Sequence, residues 1–177
     1  MPVRLLFQDE ARFGRLSDHR RCWAPWPSRP LVGQQVIREY TYALVAVSPQ
    51  DGRLASLVLP WVDAYTMSIF LTHTASEFPG DYCLMLLDGA GWHRAHAVQV
   101  PATIRLIPLP PYSPELNPVE HVWKFLRQNY MGNRVFPSLK PVVDHLCQGL
   151  RALDQQPQLL QSMTYFDWIK PLCLTLN

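Results

Sequence analysis

The chain has 177 residues, of which 48% are hydrophobic, 11% aromatic and 17% charged. That length fits one domain over 1–177, the apolar fraction excludes a disordered tail, and no run approaches the about 18 apolar residues that span a bilayer. Net charge is +2, but residues 1–40 hold seven arginines against four acids, so contact with a polyanion is biased toward the N-terminal third.

In chain order, residues 3–8 alternate apolar and polar, a strand pattern. Residues 11–34 are rich in Arg, Gly and Pro and predict a loop or short irregular hairpin. Runs of β-formers at 36–47 and 53–59 flank Ser48-Pro-Gln-Asp-Gly52, where Pro fixes φ and Gly accepts φ > 0, the chemistry of a turn. Asp63 predicts the cap of a helix to about residue 76, with Met67, Phe70 and Leu71 on one stripe. Residues 82–87 predict a strand buried on both faces, 93–98 a short helix, and 104–107 another strand. After Pro108-Leu-Pro-Pro-Tyr-Ser-Pro114, Asn117 is expected as N-cap and Pro118 as first residue of a helix ending near Gly132. Ser138 predicts the cap of a helix to about 153, and 159–172 helical, partly irregular packing. A meander followed by alternating strands and helices predicts an α/β fold, a mixed five-stranded sheet flanked by helices. Sites in such sheets gather outside the carboxyl ends of parallel strands.

Cys22, Cys83, Cys147 and Cys173 form no C-x-x-C pair and have no nearby His at zinc-ligand spacing, which predicts free thiols. With acids at positions 9 and 10, the N-terminus does not read as a signal peptide. The expected setting is the cytoplasm, nucleoid-associated when on DNA, with no membrane partner.

Three acids fall where a site belongs. Asp9 ends the predicted first strand, and Asp88 ends the apolar run 83–87; parallel neighbours would set both at one sheet edge. A carboxylate there is costly unless solvated, paired or metal-bound, although Asp88 before Gly89 and Gly91, taken alone, better suits a turn cap. Glu120 falls where it would complete a capping box with Asn117. Yet its approach, Pro110-Pro-Tyr-Ser-Pro-Glu-Leu-Asn-Pro118, is stiff enough to fix where the helix begins. Three carboxylates without His or Cys suit hard ions such as Mg²⁺ or Mn²⁺. Two such ions can clamp the attacking and leaving oxygens of a phosphoryl transfer.

Phe7-Gln-Asp-Glu-Ala-Arg-Phe-Gly14, Leu86-Leu-Asp-Gly-Ala-Gly-Trp-His93 and Pro111-Tyr-Ser-Pro-Glu-Leu-Asn-Pro-Val-Glu-His-Val-Trp123 resemble the catalytic core of mariner-type DDE transposases, in the branch found in bacterial insertion sequences. The resemblance covers about residues 3–153. It implies a ribonuclease H-like fold, with Asp9, Asp88 and Glu120 as catalytic and metal-binding triad for two Mg²⁺ or Mn²⁺ ions. It also implies cleavage of DNA at transposon ends and strand transfer into target DNA, by a homodimer. Gly89 stands where many relatives have Asn. Relatives carry helix-turn-helix modules before this core, so the expectation is a chain partnered by a separately encoded helix-turn-helix half, joined to one by frameshift, or a fragment.

Other residues have weaker claims. Glu10 should point to the opposite face of the strand from Asp9. His93 suits a phosphate contact or a helix-start hydrogen bond, and Lys124 a DNA phosphate or an i,i+4 pair with Glu120. Trp123 follows core spacing together with Val119, Val122 and Leu126. Arg12, Arg15, Arg20 and Arg21, interleaved with Phe13 and Trp23, form the candidate DNA surface, against plain solvation. Two other functions fit the same residues: a non-catalytic DNA-binding or assembly module, and a ribonuclease H-like nuclease without strand transfer.

Overall fold

A computed structural model of the chain describes residues 1–88 and 97–175. Strands β1 (Val3–Leu16), β2 (Val36–Ser48) and β3 (Arg53–Leu59) form an antiparallel meander. β4 (Tyr82–Leu87) and β5 (Ile104–Pro108) continue the sheet from β1 in parallel, giving the order β3-β2-β1-β4-β5. Helix α1 (Ala64–Glu77) covers one face. Helices α2 (Val119–Leu126), α3 (Leu139–Asp154), α4 (Pro157–Thr164) and α5 (Lys170–Thr175) complete the chain, and residues of α2 to α5 join the core on the other face. The mixed five-stranded α/β sheet expected from the strand pattern is the one observed.

Period-two alternation builds both layers. Phe7, Phe13, Val45 and Val47 turn toward Val122, Trp123, Leu146 and Leu150. Leu6, Leu44, Ala46 and Met85 turn toward Met67, Phe70 and Leu71 of α1. Asp63 caps α1 as expected, accepting the Thr66 N–H at 2.8 Å, while Thr66 Oγ1 accepts the Asp63 N–H in return. At the β2–β3 turn Gly52 has φ +65°, and its N–H donates to the Ser48 carbonyl at 2.9 Å. Any Cβ at Gly52 would lie 1.8 Å from the Pro157 carbonyl oxygen, so α4 begins directly against this turn. Two of the N-terminal arginines serve the fold: Arg4 bridges Asp51 and Asp81, and Arg15 pairs with Glu39 and donates to the Phe136 carbonyl. All four cysteines are free, and no helix among the described residues is long and apolar enough to cross a membrane.

The structure corrects the sequence reading in three places. β1 runs through Leu16 instead of ending at Gln8, because residues 9–14 pair with 40–45 of β2 and bury Ala11 and Phe13. Ladder bonds and packing there override the poor strand propensity of Arg and Gly. Asp9 thus lies inside a strand, although β4 stops beside it. Helix α2 begins at Val119, one residue late, with Pro118 in the cap position. Glu120 is then its second residue, and the expected capping box gives way to Asn117, whose Oδ1 accepts the Val119 N–H at 3.2 Å. Ser138 precedes α3 but makes no side-chain cap bond. Of the helix expected over 93–98, residues 93–96 lie outside the described residues, and 97–98 are not helical.

Candidate active site

Three elements deliver the three acids. The last parallel pair of β1 and β4 is Phe7 with Leu86, and the same register carries Asp9 to Asp88. Glu120 arrives on the first turn of α2. Asn117 fixes that turn against the strand: its buried Nδ2 donates to the Gln8 carbonyl at 3.0 Å, one residue before Asp9. Asp9, Asp88 and Glu120 line one cavity of about 410 Å³, walled by residues 109–114 and Asn117. Tyr112 lies on that wall with φ 58°, a left-handed conformation uncommon outside glycine and asparagine, and its side chain is fully exposed.

Asp9 is 9% exposed and accepts two N–H donors, Glu10 N at Oδ1 and Trp123 Nε1 at Oδ2, each at 2.9 Å. Burial pushes its pKa up to about 7; the Trp123 bond works against this, and the charges of Glu120 and Asp88 add to it. Glu10 is pushed up to about 8, first by burial and then by Asp9 and Asp88. It lies beside Gln8, whose Nε2 donates to it at 3.4 Å. The expected separation of Glu10 from the site therefore holds for side-chain direction along the strand but not for charge.

Among the described residues no three His, Cys, Asp or Glu side chains already stand close enough to hold a metal ion. The donor set nevertheless suits one. Three carboxylates and no soft ligand face a common cavity, and burial, with the charges of Glu120 and Asp88 adding to it, holds a proton on Asp9 near neutrality. A divalent cation relieves that repulsion by replacing the proton.

The structure separates the expected DNA arginines. Arg12 and Arg20 line a second cavity, Arg15 is committed to Glu39 and the Phe136 carbonyl, and Arg21 is exposed. Lys124 is exposed and makes no ion pair with Glu120 among the described residues. His93 lies outside the described residues. Core spacing for Trp123 is confirmed by its full burial, but its bond to Asp9 has no signal in the spacing.

A family model described as DDE superfamily endonuclease matches residues 4–142. An uncharacterized protein, y4pE/y4sA, of Sinorhizobium fredii (strain NBRC 101917 / NGR234) is 40% identical over 130 residues, 73% of this chain and 96% of its own. Among solved structures, the Mos1 transposase paired-end complex with the left transposon end matches 92% of this chain with a TM-score of 0.58 at 16% identity. This chain spans 56% of that Mos1 chain. Other matching Mos1 paired-end complexes were solved with Mn and with Mg. The catalytic core domain of BIV integrase matches 87% of this chain and 85% of its own, with a TM-score of 0.51 at 17% identity. These likenesses show the shared ribonuclease H-like fold.

Proposed function

Since the chain belongs to the DDE superfamily endonucleases, we propose that it is a transposase catalytic domain that cleaves DNA phosphodiesters and joins the freed 3′ end to target DNA. The observation that carries this reading is the convergence of Asp9, Asp88 and Glu120, from three separate elements, on one cavity beside the carboxyl end of β4. The three acids would hold Mg²⁺ or Mn²⁺, as a pair of ions. When bound, such ions would supply positive charge against the reacting phosphate and would make a water molecule more acidic.

The chain's own contribution is position. Trp123 and the Glu10 N–H orient both oxygens of Asp9, and Asn117 holds the turn that carries Glu120. Burial of Asp9 keeps bulk water off its bonded side, which strengthens its electrostatic interactions. Transposition would engage a second copy of the chain and a helix-turn-helix half that reads the transposon end, since phosphate contacts alone carry no sequence information.

Nicking of supercoiled plasmid in Mn²⁺, with chelator and Asp88→Asn as controls, tests the cleavage step. A pre-cleaved end bearing a 3′-hydroxyl then tests joining. Nicking without joined product identifies a nuclease that does not transfer strands. If the parent leaves the plasmid intact in Mn²⁺, the chain is a non-catalytic module.

A further inference from the structure

We propose that Arg12, Arg20 and Arg127 form a second DNA site, a pocket for one backbone phosphodiester set apart from the acids. The three side chains line a cavity of about 390 Å³ at the far end of β1, with Phe13 and Tyr40 among its walls. Asp18 is the one acid lining it, and Arg20 Nη2 holds that carboxylate at 2.8 Å. Three cations against one anion leave the pocket positive.

Its guanidinium groups are held in place before any ligand arrives. Arg12 Cζ lies 4.3 Å from the Tyr40 ring centroid, and Arg127 Cζ lies 5.2 Å from that of Phe13. Stacking fixes each guanidinium plane and leaves its N–H edge available to an anion. Neither group pairs with an acid among the described residues. Arg20 is tied to Asp18 through Nη2, and its side chain stays partly open to the pocket. The Arg20 backbone is clasped on both sides by Asn133: its N–H donates to Oδ1, and Nδ2 donates to its carbonyl, each at 2.9 Å. Asn133 itself has φ 58°, a conformation that asparagine tolerates. Cations ordered in advance lose little entropy on binding, and planar guanidinium forks match the oxygens of a phosphate.

The ligand follows from the pocket's place on β1, and this step rests on the proposed function. Arg12 and Gly14 lie three to five residues beyond Asp9, roughly 10–17 Å at about 3.3 Å per residue. A duplex advances about 3.4 Å per nucleotide of each strand. Winding about the axis sets the phosphates of one strand farther apart than this rise, so DNA with one phosphate at the acids offers another within that span, only a few nucleotides away, to the arginines. Arg15, although adjacent in sequence, is excluded because Glu39 and Phe136 already occupy its guanidinium.

The test measures binding of a duplex of arbitrary sequence by anisotropy, from low to physiological salt. It compares the parent, Arg12→Gln, Arg127→Gln and the charge-matched control Lys140→Gln, whose lysine sits on α3. Each arginine variant should weaken binding about tenfold at low salt and reduce the slope of log K against log salt by about 0.9, while Lys140→Gln changes neither. Melting curves of all four confirm that they are folded, and Arg12, being exposed, carries the test if Arg127→Gln is not. If the parent binds DNA and Arg12→Gln matches it in affinity and slope, the pocket is wrong and the endonuclease reading stands. If the parent binds no duplex, the DNA reading falls. The pocket then survives as an anion site only if millimolar inorganic phosphate raises the melting temperature of the parent and not of Arg12→Gln; without that difference it falls too.

Discussion

Trp123 and Asp9 are joined across the β1–α2 interface, the indole N–H donating to Oδ2 at 2.9 Å with both residues buried. Glu120 precedes Trp123 by three residues on the same helix. One bond therefore sets the spacing between the strand acid and the helix acid. Trp123→Phe keeps most of the packing and deletes the donor. An unmet buried acceptor costs about 1–3 kcal/mol, so melting should fall by roughly 2–12 °C for a chain of this size. The bond favours the ionised carboxyl, so the deficit should be larger at pH 8 than at pH 5. Thermal unfolding at both values checks this, and a deficit independent of pH would assign Trp123 to packing alone.

Metal-free stability should fall as pH rises from 5 to 8. Asp9 and Glu10 titrate near 7 and 8 in the folded chain, against 3.8 and 4.5 as ordinary values. Between those limits the folded state keeps protons that the unfolded state has released. Stability then declines with pH, with no penalty below about 4 and the full penalty above about 8. Asp51, Asp63 and Asp167 are shifted downward, so their effect lies below about 4 and does not mask the trend. Melting temperatures in chelator across that range give the sign directly. A rising profile would show that Asp9 and Glu10 are ionised without cost.

Mg²⁺ or Mn²⁺ should restore what alkaline pH removes. An ion at ten times its dissociation constant contributes about 1.4 kcal/mol by binding only the folded chain, a rise of roughly 3–6 °C in melting temperature. Because the metal displaces a proton, the rise should grow from pH 6 to pH 8. Asp88→Asn removes a charge that raises both Asp9 and Glu10. This variant should melt higher than the parent in chelator at pH 8, gain little from metal and nick no DNA. A lower melting point together with a full metal shift would make Asp88 structural.

Gly52→Ala should be among the costliest single-methyl additions. The residue needs φ +65°, and the new Cβ would meet the Pro157 carbonyl at 1.8 Å. Left-handed backbone alone costs roughly 1–2 kcal/mol for an alanine, and the displaced backbone adds overpacking of about 1–3 kcal/mol. Urea unfolding measures the sum. A loss below the left-handed cost alone would mean that the turn and α4 shift apart freely.

Local chemistry made much of this legible. The meander, α1 with its Asp63 cap, β4, β5 and the approach to α2 all follow from periodicity and turn residues within short windows. The second half of β1 was not legible, because Arg12 and Gly14 are strand residues only through their partners Tyr42 and Tyr40 on β2. The three acids stood out because Asp9 follows an alternating run, Asp88 an apolar one and Glu120 a proline-braced approach to a helix, even though Asp9 proves to lie inside its strand. The bond from Trp123 to Asp9 spans 114 positions and leaves no trace in any local pattern. Burial of Glu10 beside two other acids was hidden for the same reason.

The C-terminal helices have a bearing on the acids as well as on packing. Leu146, Leu150, Leu153, Leu160, Ile169 and Cys173 are buried in the cluster that holds Phe7 and Trp123, yet all lie past residue 142, where the family match stops. The core that backs the acids thus extends beyond the matched residues. A polypeptide trimmed to the matched residues would keep every acid and lose the wall behind Trp123, uncovering the indole that steadies Asp9. Hydrophobic mass with no part in the chemistry is what lets a buried carboxylate hold its place.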